Sequence, residues 1–250
     1  MIETKELKNE RAEGRLLSPL RVLKASALEL TKLPTVCAMA VMLACCYIFS
    51  LLTIPALGQA LQIKFSFLIY ALCGVLYGPV PTMMLGAMDQ LLIETLMKGN
   101  GFLLGYVISF AFRGLLYGVL LYHRTLPKKG LSVARVALTK TADTVFYCIL
   151  LNTYLNYHYG FINAGSFFAA VTVRIGKNVV LLPLEIFLLC IFLGAMLRAL
   201  PHVGGMPEVQ TQKITKKQMA VIISLAVLGL GLLLAYLLIP SFREALKFGL

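Results

Sequence analysis

Long apolar blocks separated by short polar segments organise this chain. Seven blocks are predicted as membrane-spanning helices, at residues 35–55, 61–78, 81–97, 102–122, 137–158, 167–198 and 218–240. A spanning helix needs about 20 mainly apolar residues. In lipid, backbone polar groups must be satisfied within the segment, so blocks of this length are helices. None alternates at period two, as a membrane barrel strand would. The predicted class is an all-α integral membrane protein, multi-pass in the cell membrane.

Local signals refine the pattern. Tyr77-Gly78-Pro79 is a tight turn signal between the second and third blocks. The sixth block is long for one crossing and is expected to tilt, or to kink near Pro183. Ahead of the first block, Ser18 can cap a helix whose first position is Pro19. Leu20, Leu23, Ala27 and Leu30 then share one face, with Arg21 and Lys24 off it. Two readings stand: an amphipathic helix on the inner membrane surface, or an extension of the first span. The expected organisation is a cytoplasmic tail over 1–34, a six-span membrane domain over 35–200, a basic cytoplasmic linker over 201–217, and an extra transmembrane helix with a short tail over 218–250.

Composition agrees with the pattern. The chain of 250 residues is 59% hydrophobic and only 14% charged, against roughly 25% charged in soluble domains. A net charge of +12 raises the question of a nucleic-acid partner. The distribution answers against one. Seven Lys or Arg lie in 1–33, five in 123–140 and four in 198–217, all between apolar blocks. The segments assigned to the other side, 56–60, 98–101 and 159–166, hold only Lys98. This is the positive-inside pattern, with the N-terminus cytoplasmic and six spans up to residue 198. A seventh span leaves Arg243 and Lys247 outside, which fits the rule less well. The six cysteines fall in apolar segments without metal or redox spacing, and read as small buried hydrophobes. The first 33 residues lack the continuous apolar run of a secretory signal.

Polar residues inside spans carry the candidate chemistry, because ionisable groups there are expensive. Arg174, Lys177 and Asn178 are spaced i, i+3, i+4 and share a helical face. With the span centred near residue 183, Arg174 lies nine residues, about 14 Å, from the midplane. Either these cations snorkel to the outer headgroups, or they line an outward-facing pocket for a ligand with carboxylates. The planar fork of arginine suits the second task. Arg113 sits near the middle of the 102–122 span, where arginine costs about 2.5–3.5 kcal/mol on insertion scales. It therefore needs a partner, with Asp89 expected first and Glu94 second. It is either a structural ion pair or a ligand contact.

Phe65, Phe67, Phe102, Tyr106, Asn152, Tyr154, His158 and Tyr159 cluster near the outer ends of spans. They form an interfacial aromatic belt, or some of them stack on a flat heterocycle and bond its edge. Ala40 and Ala44 form a small-xxx-small motif that allows close helix approach, a candidate subunit interface. No paired-His zinc motif, G-x-S-x-G or P-loop is present, so this chain has no nucleotide site of that type. An intramembrane enzyme using Asp89, Glu94 or His158 remains as an alternative of another class.

At this point the chain resembles the substrate-binding S components of energy-coupling factor (ECF) vitamin transporters, and most closely their folate branch, over roughly residues 35–198. Ala40-xxx-Ala44 is similar to the family's first-span AxxxA motif. Ile54-Pro55 with Ile63-Lys64-Phe65-Ser66-Phe67 resembles the stretch from loop 1 into the second span. Tyr77-Gly78-Pro79, Gly86-Ala87 with Asp89, and Gly114 to Gly118 follow in the family's order. Asn152-Thr153-Tyr154, Tyr159-Gly160, Arg174 to Asn178 and Leu182-Pro183 resemble the folate branch. The chain departs from the family in four places. Leu104-Gly105 replaces a Pro-Gly, a proline is missing near Lys98, Arg113 stands where a small or neutral residue is expected, and 218–240 lies outside the family unit.

The resemblance implies a six-helix S-component bundle plus one extra C-terminal helix, and a vitamin-uptake subunit rather than an enzyme. Folate is the expected ligand, with another vitamin or micronutrient as the alternative. Arg174, Lys177, Asn178, Arg113, Lys64, Phe65, Asn152, Tyr154, His158 and Tyr106 are the candidate binding residues. Ala40 and Ala44 would dock on the transmembrane T component. ATP and Mg would be used by two partner ATPases, with no cofactor in this chain, and motion in that complex would topple the S component to release vitamin inside.

Overall fold

A run of apolar residues with no polar face buries itself on all sides, and Ser66–Tyr77 is such a run. In the computed structural model, which describes residues 19–51, 54–59, 61–63, 65–92, 103–125, 131–161, 166–200, 209 and 216–238, it is the central helix. The elements run in order from α1 (Pro19–Ala27) and a 3-10 turn (Leu28–Thr31) to α2 (Leu33–Leu51), β1 (Ile54–Gln59) and β2 (Leu61–Ile63). Next come α3 (Ser66–Tyr77), α4 (Pro79–Met88) and α5 (Leu104–Leu121). They are followed by α6 (Val133–Ala142), a π-helical segment (Asp143–Leu151), α7 (Asn152–His158), α8 (Phe167–Ala199) and α9 (Lys216–Leu238). Residues Phe67 to Tyr77 are all buried. Met42 and Cys46 of α2, Tyr117 and Leu121 of α5, and Leu189, Leu193 and Leu197 of α8 complete one core with them.

Among the described residues, three helical stretches are long and apolar enough to cross a membrane: Leu33–Leu51, Leu104–Leu121 and the Asn178–Ala199 part of α8. Of the expected spans, the first, fourth and sixth thus contain helices of crossing length, whereas the second block forms a helix of just 12 residues. Residues expected at the end of the first span and the start of the second instead form the antiparallel hairpin β1–β2, with Ile54 opposite Ile63 and Pro55 opposite Gln62. Pro55 cannot donate to a ladder, and Ile and Leu suit strands, so tertiary pairing overrides the helical reading here. The expected third span continues beyond Met88 as a π turn over 89–92. Glu94, Lys98, Phe102, Lys64, the tail before Pro19 and most of the 201–217 linker lie outside the described residues.

The predicted turn at Gly78 is present, with φ +85°, a conformation that favours glycine. Close helix approach follows from Gly114 and Gly118. A Cβ at Gly114 would lie 2.1 Å from the Thr82 carbonyl oxygen, and one at Gly118 would lie 2.3 Å from Pro79 Cα. These glycines let the backbones of α4 and α5 touch, the small-xxx-small device of membrane helices.

The N-terminal helix is separate from the first span. A 3-10 turn and the extended Lys32 (φ −90°, ψ 121°) separate α1 from α2, so it is no extension of the first span. It docks through Ala25 and Ser26, both buried, and not through its leucine face: Leu20 is 78% exposed. Ser26 Oγ donates to the Tyr77 carbonyl (2.9 Å) and accepts from Val80 N–H (3.0 Å). One hydroxyl thus satisfies a carbonyl at the end of α3 and an orphan amide at the start of α4. At the other end of the chain, α9 lies against α8, where a Cβ on Gly229 would come within 2.9 Å of Leu184 N. Pro183 lies inside α8, which runs as one helix of 33 residues.

Candidate functional site

Two polar layers occupy the bundle. The first is an ion-pair network in its middle. Arg113 of α5 donates through Nε to Asp143 Oδ1 (2.9 Å) and through a terminal nitrogen to Oδ2 (3.1 Å). Tyr117 Oη, one turn along α5, donates to the same Oδ2 at 2.9 Å. Lys140 Nζ bonds Asp143 Oδ2 at 3.0 Å and pairs with Glu185 Oε2 of α8 at 3.2 Å. Two cations and two carboxylates therefore join α5, α6, the π segment and α8. Aromatic faces enclose them: Arg113 Cζ lies 4.6 Å from the Tyr147 ring centroid and 5.2 Å from that of Tyr70, and Lys140 Nζ lies 4.2 Å from that of Phe67. Such contacts gain strength when desolvated.

This arrangement corrects the expected pairing. Arg113 pairs with Asp143, and Asp89 instead accepts from Tyr70 Oη at 2.6 Å. Arg113 and Asp143 are both buried, so the guanidinium is engaged in an ion pair inside the protein. Asp143, Lys140 and Glu185 were not singled out from the sequence. The available signal was Lys140 and Asp143, three apart at the start of an apolar block, with Glu185 inside another. Ionisable residues in spans mark sites by default.

The second layer lies where the start of α5, α7 and the start of α8 meet. On α8, Ala170 and Leu181 are buried, while Ile175 and Val179 are exposed. Arg174 is four residues after Ala170 and seven before Leu181, so it shares the inward stripe. Its side chain is half-buried and lies close enough to Tyr106, Tyr147 and Cys148 to interact with them electrostatically. Among the described residues no carboxylate or other acceptor bonds its guanidinium. Asn178, on the same stripe, donates through Nδ2 to the Arg174 carbonyl at 2.8 Å. Lys177 lies in α8, but its side chain is outside the described residues.

The expected aromatic residues separate into two groups. Tyr106 stacks on Tyr159 with centroids 5.8 Å apart, and both approach Phe161 at 6.5 Å. Gly105 permits this, since a Cβ there would meet Tyr159 Oη at 2.7 Å. Tyr154 stacks on His158 at 5.9 Å and 5°, but both are exposed and Tyr154 continues edge-on to Phe167. His158 meets Tyr159 at 5.5 Å, which links the groups. Asn152 is half-buried and its Oδ1 accepts from Asn156 Nδ2 at 2.6 Å. Phe65 precedes α3 and packs against the core. The layer thus offers an unpaired cation, amides and flat rings together, which can take an anion attached to a ring.

The interface candidates lie elsewhere. Ala40 and Ala44 are exposed on α2, on the side opposite buried Ala38, Met42 and Cys46. Cys37, Val41 and Ile48 extend the same exposed, mostly apolar stripe.

No family model matches the chain, and no curated protein matches it either. Among solved structures it is similar to one described as the crystal structure of FolT bound with folic acid, with a TM-score of 0.53 and 22% sequence identity. The match covers 64% of this chain and 92% of that one. At this level of identity the likeness concerns architecture, and it agrees with the family resemblance drawn from the motifs: this chain is a multi-pass helical membrane protein with the fold of FolT.

Proposed function

We propose that the protein is the substrate-binding S component of an ECF-type vitamin transporter and that its ligand is folate. The observation that carries this reading is Arg174. Its guanidinium sits on the inward stripe of α8 beside Tyr106, without an acceptor among the described residues. A buried or half-buried charge left unpaired is costly, so a fold that retains one there is suited to an anionic guest. Folate combines a flat pterin with a glutamate tail. Arg174 and Lys177 would take the carboxylates, Tyr106 and its neighbours would stack on the ring, and Asn152 and Asn178 would bond its edge. The FolT structure of the same fold is described as holding folic acid, which supports the choice of ligand.

The rest of the transport cycle is inferred with it. The exposed Ala40–Ala44 stripe on α2 gives a membrane partner a surface for close approach. That partner would be the T component of a module with two cytoplasmic ATPases, which use ATP while this chain carries the vitamin. The six-span unit would cover 35–200, with α9 as an added membrane helix and the N-terminus cytoplasmic.

The test is folate binding by protein purified in detergent. Wild type is expected to bind tightly, and Arg174→Ala to bind at least tenfold more weakly. Affinity within twofold of wild type in Arg174→Ala would remove the assigned role. Tight binding of a different vitamin in a screen, with no binding of folate, would reassign the ligand and keep the class.

A further inference from the structure

Four threonines in α-helical positions donate their hydroxyls to the carbonyl four residues back. They are Thr82 to Gly78 (2.8 Å), Thr139 to Arg135 (2.8 Å), Thr141 to Ala137 (2.9 Å) and Thr172 to Phe168 (2.9 Å). Two others do not. The hydroxyls of Thr144 and Thr153 are buried and have no hydrogen-bond partner among the described residues. Thr144 lies inside the π-helical segment Asp143–Leu151, and Thr153 two residues after its end. The segment's register is explicit at its end, where Asn152 N–H donates to the Tyr147 carbonyl five residues back. In an α register both hydroxyls would have the same i−4 acceptor that the other four use. The π register therefore leaves two buried donors unsatisfied, and an unsatisfied buried polar group is costly.

Something must hold the segment in this costlier form. Asp143 is its first residue and is completely buried. Its carboxylate is gripped from two sides, by Arg113 and Tyr117 on α5 and by Lys140 on α6. Beyond the segment come Asn152, Tyr154 and His158 of α7 and Tyr159 at its C-terminal end, all part of the candidate ligand layer. A π-helix bonds to the fifth residue and so has more residues per turn than an α-helix. Relaxation to an α register would turn α7 about its axis relative to Asp143, and would move those side chains with respect to Arg174 on α8.

We infer that Asp143 is a positioning residue for the ligand layer: its four bonds hold Asp143–Leu151 in the π register that aims α7 at Arg174. This rests on the folate-binding reading above for its functional consequence, but not for the register itself.

The experiment uses the full chain in detergent with Asp143→Asn, alone and combined with Thr144→Val and Thr153→Val. Valine removes the hydroxyls whose satisfaction would favour the α register, with little change of shape. Asp143→Asn is expected to weaken folate binding at least tenfold, and the added valines to recover most of that loss. A residue that merely stabilised the fold would not be rescued in this way. Tyr117→Phe, which removes one bond and keeps the ring, is expected to show a smaller loss with the same rescue. It keeps the proposal testable if Asp143→Asn does not fold. A second readout needs no ligand: in fluorotyrosine NMR of the ligand-free protein, the Tyr154, Tyr157 and Tyr159 signals should shift in Asp143→Asn and return with the valines. Undiminished folate affinity in both Asp143→Asn and Tyr117→Phe would overturn the proposal. So would a loss that the valines leave unchanged, or unmoved tyrosine signals. If wild type binds no folate but the signals shift and return, the register proposal stands and the ligand reading falls.

Discussion

Arg113 Nε meets Asp143 Oδ1 at 2.9 Å, and a second guanidinium nitrogen meets Oδ2 at 3.1 Å, in the interior of a chain built for lipid. The pair ties α5 to the π segment. Lys140 extends it to Glu185 on α8. A planar fork matched to a carboxylate is the strongest form of such a contact. It is also the form that leaves most behind when half of it is removed.

Arg113→Leu should therefore destabilise the protein by about 3–5 kcal/mol, the cost typical of removing one partner of a buried pair, because it leaves the Asp143 and Glu185 carboxylates to share Lys140 alone. The double variant Arg113→Leu with Asp143→Leu should recover a substantial part, because Lys140 keeps Glu185. Unfolding free energies from denaturant titration in detergent measure both. Equal instability of the single and double variants would contradict the account.

Arg174 should behave in the opposite way. Without a partner among the described residues, its replacement removes no native bond. Arg174→Lys is expected to leave unfolding free energy within about 0.5 kcal/mol of wild type. Its folate affinity should fall roughly tenfold, or about 1.4 kcal/mol, since a point charge cannot reproduce two parallel bonds to a carboxylate. Calorimetric titration together with unfolding separates the two effects.

The α4–α5 contact should tolerate no side chain. Gly118→Val would drive its Cβ into Pro79 Cα, 2.3 Å away, and into backbone that cannot yield. The expected result is a loss of at least 1–3 kcal/mol, the usual cost of overpacking, seen as a lower unfolding midpoint and a poor yield of monodisperse protein. Gly194→Ala is the control, because nothing lies within 4 Å of the added carbon. It should match wild type.

Substitutions on the exposed side of α2 should separate binding from transport. Ala40→Phe and Ala44→Phe add bulk where the bundle has no neighbour. Folate affinity of the isolated protein should stay within twofold. Co-purification with the proposed partner ATPases and uptake by cells should fall sharply, because close helix approach needs small residues. Uptake at the wild-type level would place the interface elsewhere.

The candidate site was only partly legible. Arg174 and Asn178 were visible as polar residues sharing one face of an apolar helix, and the structure keeps them on the inward stripe. Tyr106 and Tyr159 were visible only as members of an aromatic set. Their stacking depends on Gly105, through a contact between residues 54 apart in the chain. For Arg113 the sequence points to the acids of the preceding span, whereas Asp143 arrives from the span that follows.

The sequence by itself determined that the chain lives in a membrane, that its apolar blocks are mainly helical, and where the turn at Gly78 falls. These follow from hydropathy, backbone satisfaction and glycine's freedom, all of which act locally. Only the tertiary structure decided that Asp143 receives Arg113, that residues 54–63 pair as strands, and that α1 docks by Ser26 rather than by its leucines. The first and third depend on groups far apart in sequence competing for the same few partners, and the hairpin on pairing across its own turn. In lipid, such a competition is resolved by which buried polar groups can be satisfied together, and no single helix carries that information.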